Sequence, residues 1–194
     1  MDLKQRIFKN TDISAATGLT PATIQTWANR GILSLSEEQR NPGPGRKRLY
    51  SMLDAARIAA IQSLIGHRLT ASAAGRMAFR LEHSPLTRED WEKALQEHAN
   101  HIHILVRDDD VVGVYTDKDR SKLTNMLNIF SDDSTCGFGG QGTRERIKPT
   151  VFDIGPAVSA AIGGLRRRPN SAGEAVSASI KENQSPPPTP ALET

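Results

Sequence analysis

The sequence predicts an α+β protein with a helical N-terminal domain, a small α+β domain after it and a disordered tail. Residues 1–83 hold several short helical patterns with clear cap residues. Residues 101–115 hold two β-rich runs on either side of an acidic turn. The end of the chain is rich in Ser, Pro and Ala and cannot bury a core. We therefore expect domains at 1–83 and 84–166 and a disordered tail at 167–194.

Composition excludes several classes of protein. The 194 residues contain no run of 18 apolar residues, and the N-terminus lacks the apolar region of a secretory signal. A single cysteine, Cys136, excludes an internal disulfide framework and favours a reducing, cytoplasmic compartment.

The charge is unevenly distributed along the chain. Residues 1–80 carry 12 Lys/Arg and 5 Asp/Glu, whereas residues 81–135 carry 6 and 12. A basic first segment joined to an acidic middle segment predicts that only the first segment meets a polyanion.

Two helical patterns with a glycine turn between them begin this basic segment. The first runs from Thr11 or Asp12 to Thr17, and Gly18 is a typical left-handed stop. Thr20 and Pro21 are a typical N-cap and first residue of a second helix, which we expect to end at Arg30. Ile24, Trp27 and Ala28 would point to the core.

The other faces of the second helix carry small and amide side chains. A Gln can pair with both edge atoms of adenine, and a Thr methyl can contact the thymine methyl in the major groove. The pattern therefore favours a DNA-reading helix-turn-helix, although a helical hairpin with a polar outer face remains an alternative. The candidate residues on these faces are Ala22, Thr23, Gln25, Thr26 and Asn29.

A Pro/Gly segment leads into three cations. Residues 41–45 cannot be helix interior, and Arg46, Lys47 and Arg48 follow directly. We expect a hairpin, or wing, whose short strand holds these cations as a phosphate clamp. Ser51 and Asp54 then form a capping box that opens a helix at 52–65.

Together these residues resemble the winged-helix DNA-binding domain of the MerR family of regulators, which includes excisionase-like members. The resemblance covers about residues 8–80, with Gln25 where the family usually has an arginine. It implies that the helix from Pro21 enters the major groove while the wing holds the flanking backbone. It rests on Gly18-Leu19-Thr20, Thr23-Ile24, Trp27, Gly31-Ile32-Leu33, Arg48-Leu49-Tyr50 and Asp54. The expected DNA contacts are Thr20, Ala22, Thr23, Gln25, Thr26, Asn29, Arg30, Arg46, Lys47, Arg48 and Tyr50.

The rest of the chain predicts further helices and a small sheet. Capping boxes at Thr87/Asp90 and Thr116/Asp119 would open two helices, and Ser84-Pro85 would separate the first domain from the second. The expected elements are a helix at 71–81, a helix from 88 to 98 or 99, strands at 101–106 and 111–115, a helix containing Leu123, Met126, Leu127 and Phe130, a strand at 150–154, and a helix at 156–165 whose Val158, Ala161, Ile162 and Leu165 face inward.

Three features of the second half suggest chemistry, and each has a simpler explanation. His98, His101 and His103 could bind a metal, but without cysteines a histidine pair on an exposed strand is commoner. Asp108–Asp110 could bind a cation, but a charged turn forms without one. The glycine-rich loop after Cys136 lacks the Lys-Ser/Thr pair of a phosphate-binding loop. No nucleophile–base or paired-carboxylate arrangement is present, so we expect no enzyme, no cofactor and no metal.

We therefore predict a sequence-specific double-stranded DNA-binding protein, a bacterial transcriptional regulator that acts as a homodimer or higher oligomer. RNA polymerase or a small effector are further partners that this function leaves open. The alternative is an excisionase-type architectural protein that bends DNA, and a third is an interaction module without DNA binding. Arg48→Ala should weaken binding to every sequence, whereas Gln25→Ala should change sequence preference.

Overall fold

The structure is a computed structural model that describes residues 3–97, 99–107, 110–131 and 149–167. Short strands open and close the helix-turn-helix region, and a three-stranded sheet lies in the second half. The elements, in chain order, are β1 (Phe8–Lys9), α1 (Asn10–Thr17), α2 (Pro21–Asn29), α3 (Glu37–Arg40), β2 (Leu49–Tyr50), α4 (Met52–Gly66), α5 (Ala71–His83), α6 (Arg88–Gln96), β3 (Ile102–Arg107), β4 (Asp110–Thr116), a 3₁₀ turn (Asp117–Asp119), α7 (Arg120–Ser131), β5 (Thr150–Asp153) and α8 (Gly155–Arg166).

The predicted starts of α2 and α4 are confirmed. Thr20 caps α2 by accepting a hydrogen bond from the Thr23 amide, and Pro21 is the first helical residue. Ser51 and Asp54 form the predicted capping box at the start of α4. Gly18 ends α1 with a φ of 75°, in the left-handed region that favours glycine.

Two other predicted capping boxes lack the cap hydrogen bond from the Thr side chain. The Thr87 side chain makes no cap hydrogen bond for α6, because its hydroxyl is buried and donates to the Arg80 and Leu81 carbonyls at the end of α5. Thr116 precedes a 3₁₀ turn that runs directly into α7, and both its hydroxyl, over 3.1 Å, and its amide donate to the Asp119 carboxylate.

The predicted wing is not a hairpin. Residues 41–48 contain no strand, and β2 pairs instead with β1, about 40 residues earlier, with Phe8 opposite Tyr50 and Lys9 opposite Leu49. Two prolines lack the N–H that a ladder needs, and Gly43 and Gly45 have φ values of 81° and 74°. The three cations therefore lie on an irregular loop, which we call the basic loop (residues 41–48).

The predicted β-hairpin is confirmed, and its first strand is the centre of the sheet. β3 pairs antiparallel with β4, and β5 pairs antiparallel with the other edge of β3. The strand order is thus β4-β3-β5.

The C-terminal helix is buried where predicted but faces different partners. Val158, Ala161, Ile162 and Leu165 are all buried, yet α8 packs mainly against α4 and α1 of the helix-turn-helix region and only slightly against β3. One hydrophobic cluster consequently runs from Leu3 to Leu165, across the predicted boundary at residue 83. That boundary stays a prediction about folding units.

Several predicted features lie outside the described residues. They are His98, the first two residues of the acidic turn, the loop with Cys136 and the C-terminal tail. No helix in the part of the chain that the structure describes is long and apolar enough to cross a membrane.

Candidate nucleic-acid interface

The turn between α1 and α2 is fixed by short polar contacts. The Gly18 amide donates to the Ser14 carbonyl over 2.8 Å, and the Ser14 hydroxyl donates to the Leu19 carbonyl over 2.7 Å. At the other end of α1, the Asn10 side-chain amide donates to the Pro21 carbonyl over 3.2 Å. Both ends of α1 therefore hold the start of α2 in place.

The surface of α2 divides as predicted into a buried face and an exposed face. Ile24, Trp27 and Ala28 are buried. The Thr23 hydroxyl lies 2.8 Å from that of Thr20, and the Thr26 hydroxyl donates to the Ala22 carbonyl over 2.9 Å. The two Thr side chains are thus partly engaged within the helix, and on the exposed face the Gln25 amide donates to the Asn29 side-chain oxygen over 2.8 Å. The exposed residues of the helix are Pro21, Ala22, Gln25, Thr26 and Asn29.

A groove of about 800 Å³ runs between this exposed face and the basic loop. Its lining contains five cationic side chains and, among the described residues, no carboxylate. We call it the basic groove, and it is lined by Lys9, Asn10, Thr11, Gln25, Asn29, Arg40, Asn41, Pro42, Gly43, Arg46, Lys47 and Arg48.

Two cations of the basic groove were missed in the sequence. Lys9 reaches it because β1 pairs with β2, which places Lys9 opposite Leu49 at the end of the basic loop. Arg40 reaches it as the last residue of the short helix α3. A two-residue strand and a one-turn helix are too short to give a periodic signal.

Arg48 is directed back into the protein. Its Nε donates to the Gln39 carbonyl over 2.5 Å, and its Nη2 donates to the Arg40 carbonyl over 2.6 Å. Its Nη1 donates to the Gln25 side-chain oxygen over 3.1 Å, so one guanidinium joins α3, the basic loop and α2. Arg46 and Lys47, by contrast, are exposed.

Tyr50 does not belong to this surface. It is fully buried in the hydrophobic cluster, and burial raises the pKa of its hydroxyl. The expectation that Tyr50 contacts DNA is therefore wrong in this structure: its ring packs in the core.

Arg30 lies beside a different groove. It caps the C-terminus of α2 and lines a second groove of about 650 Å³ on the α5 side, together with Arg76, Arg80 and a stacked pair of rings, Phe79 and His83. Arg30 thus lies at the far end of α2 from Thr20, and it is not among the residues that line the basic groove.

The two histidines of the predicted pair lie near each other. The rings of His101 and His103 are 6.2 Å apart, and His101 Nδ1 lies 2.9 Å from an Asp153 carboxylate oxygen. That hydrogen bond raises the pKa of His101. In the described ranges, no group of three or more metal-ligating side chains comes together.

Part of the chain matches a known protein family. Residues 8–78 match the family model described as the MerR HTH family regulatory protein. The matched segment is less than half of the chain. No curated protein matches the chain. The match confirms the resemblance and supports a DNA-binding transcriptional regulator in general, of a kind that is generally not enzymatic.

Proposed function

We propose that this chain, which carries a MerR-like helix-turn-helix domain over residues 8–78, is a sequence-specific regulator of transcription that reads the DNA major groove with α2. The observation that carries the proposal is the basic groove. There the exposed face of α2 forms one wall and the cations of β1, α3 and the basic loop form the other. An amide-rich helix beside a carboxylate-free basic wall suits base edges and phosphates together.

Base readout would come from the exposed positions of α2. Gln25 and Asn29 are one helical turn apart, and each carries both a donor and an acceptor. Such amides pair with two edge atoms of adenine in the major groove. Ala22 and the Thr26 methyl are small enough to let α2 approach the bases closely.

Backbone contacts would come from the exposed cations around the basic groove. Arg46 and Lys47 on the basic loop, with Lys9 and Arg40 beside them, present positive charge without a neighbouring carboxylate in the groove lining. Each phosphate that a cation neutralises releases counterions, so binding should weaken steeply with salt.

An oligomer of this chain would not form through a long dimerisation coil. In MerR-type regulators the helix after the DNA-binding domain is a long antiparallel dimerisation coil. Here α6 is 9 residues long, and its Trp91, Ala94 and Leu95 are buried inside the same chain. A homodimer or higher oligomer on DNA would therefore use another surface. A nucleoid-associated, cytoplasmic location would follow from the DNA partner.

The test is selection of binding sites from a random duplex pool with the full-length chain, followed by footprinting on genomic DNA. We expect enrichment of one consensus and protection of a palindromic promoter site. Several direct repeats beside an attachment site would instead support an architectural, DNA-bending role. Retention of random duplex with no salt dependence and no enriched sequence would contradict DNA recognition by this surface.

A matched pair of variants assigns the surface. Gln25→Ala lies on the exposed face of α2, and Gln62→Ala removes the same amide from a half-buried position on α4. We expect Gln25→Ala to change the enriched consensus and Gln62→Ala to leave it unchanged. The opposite pattern would place readout elsewhere.

A further inference from the structure

We infer that Arg48 is a positioning residue for base readout, because it fixes the orientation of the Gln25 amide that faces the major groove. This inference rests on the proposed function and assigns a different role to Arg48 from that of a backbone contact. It is carried by a chain of hydrogen bonds that runs from the end of α3 through Arg48 to Gln25 and Asn29.

The first step is the anchoring of the guanidinium. Nε and Nη2 of Arg48 donate to two successive carbonyls, Gln39 and Arg40, over 2.5 and 2.6 Å. The planar fork of an arginine matches two neighbouring acceptors, and two short bonds together fix the plane of the group. The side chain of Gln39 is itself buried and donates to the Leu49 carbonyl over 2.9 Å, which holds this end of α3 against β2.

The second step is the orientation of the Gln25 amide. Arginine offers donors only, so the group that faces Arg48 Nη1 has to be the amide oxygen, and the two atoms lie 3.1 Å apart. A flipped amide would place two donors against each other. The amide nitrogen is thereby turned toward Asn29, and it donates to the Asn29 side-chain oxygen over 2.8 Å.

The third step is what this orientation leaves for DNA. A side-chain amide has two N–H donors and two oxygen lone pairs. The contacts to Arg48 and Asn29 use one of each, so one donor and one acceptor of the Gln25 amide remain for a further partner. That pair is the complement of the adenine edge, which offers one acceptor and one donor in the major groove.

The test compares variants of the full-length chain across a panel of duplexes in which each base pair of the selected site is changed in turn. Arg48→Gln removes the donor-only group, so the Gln25 amide can adopt either orientation. We expect it to reduce discrimination about fivefold or more at one base pair, the same pair that responds to Gln25→Ala. The double variant should show no further loss at that pair, because both changes remove the same contact.

The control is Arg46→Gln, which removes an exposed cation from the same loop. We expect it to weaken binding to every duplex by a similar factor and to leave the preference at each base pair unchanged. If Arg48→Gln behaves in this uniform way as well, Arg48 is a backbone contact and the inference is wrong, while the proposed function stands. If the wild-type chain selects no sequence at all, the proposed function fails first.

A second readout does not depend on DNA. In the ¹⁵N spectrum of the free protein, the side-chain NH₂ signals of Gln25, assigned by their loss in Gln25→Ala, should move toward the values of a free amide in Arg48→Gln. Unchanged signals would overturn the inference whatever the DNA result. Should Arg48→Gln fail to fold, Arg48→Lys keeps the charge but replaces the planar fork by a single nitrogen that cannot occupy the positions of Nε, Nη1 and Nη2 together, and the same shifts are expected.

Discussion

At the scale of single residues, Gly155 is fixed by space. A Cβ placed there would lie 2.3 Å from the Ile102 amide nitrogen and 2.4 Å from the Asn100 carbonyl oxygen, both backbone atoms that cannot rotate away. We expect Gly155→Ala to lower the free energy of unfolding by about 1–3 kcal/mol or more, because the start of α8 must move away from β3. Urea denaturation measures this.

The control for Gly155 lies in the same helix. A Cβ at Gly163 would meet only the end of the Arg167 side chain, at 3.8 Å. Gly163→Ala should therefore be neutral or stabilising by about 0.5–1 kcal/mol, since alanine is the better helix former. If both variants lost the same free energy of unfolding, the close approach of α8 to β3 would not be the reason for a glycine at position 155.

The contact between His101 and Asp153 predicts a pH dependence. The hydrogen bond to Asp153 raises the pKa of His101 above 6.5. Its stabilisation is therefore fully present below pH 6.5 and is lost as the pH rises through the raised pKa. The pKa of Asp153 is lowered, so the stabilisation that depends on its charged carboxylate is lost as the pH falls below about 4. His101→Ala should lower Tm near pH 5.5 and leave it unchanged at pH 9. A lower Tm at both pH values would mean that His101 stabilises the protein by packing rather than by its charged contact with Asp153.

At the scale of elements, caps and apolar stripes predicted most of the helices. Thr20-Pro21 and Ser51/Asp54 mark the starts of α2 and α4 because their signals are local, between side chains and amides three residues away. Thr87 shows the limit of this reasoning. Its hydroxyl satisfies carbonyls at the end of α5 rather than the amides of its own helix.

The candidate site was predicted only in part, because some of its residues give local signals and others are placed by tertiary contacts. The exposed face of α2 follows from the 3.6-residue period, whereas the position of Lys9 depends on the pairing of β1 with β2 about 40 residues later. The role of Arg48 depends on backbone carbonyls at the end of α3. Every residue has a backbone carbonyl, so the sequence cannot indicate which carbonyls Arg48 will contact. Contacts of that kind are set by tertiary packing.

The packing of α8 on α1 and α4 makes a prediction at this scale. Leu165 is 1% exposed on the buried face of α8. Leu165→Ala should lower the free energy of unfolding by about 2–5 kcal/mol, through lost burial and the cavity it leaves. Leu86 is 73% exposed, so Leu86→Ala makes the same chemical change with an expected effect of about 0.5 kcal/mol or less. Similar urea midpoints for the two variants would contradict the packing of α8.

At the scale of the whole molecule, the core joins regions that differ in charge. The basic groove lies on the N-terminal segment, while in the acidic segment Glu97, just after α6, pairs with Lys118 of the 3₁₀ turn over 2.9 Å. A lining with five cations and, among the described residues, no carboxylate favours a positive potential in the groove. The hydrophobic cluster nevertheless crosses from α1 and α4 to α8 without a break.

That continuity predicts that the chain unfolds as one cooperative unit rather than as two. A domain that ends at residue 83 would unfold independently, and the full chain would then show two transitions. The packing of α8 against α1 and α4 instead predicts a single transition, because the two halves share one hydrophobic cluster. A fragment of residues 1–83 should accordingly lose several kcal/mol of stability, about 25 cal/mol for each Å² of apolar surface that α8 no longer covers. Calorimetry of the full chain and of the fragment measures both quantities. A fragment as stable as the full chain would establish residues 1–83 as an independent domain and reduce α8 to a peripheral attachment.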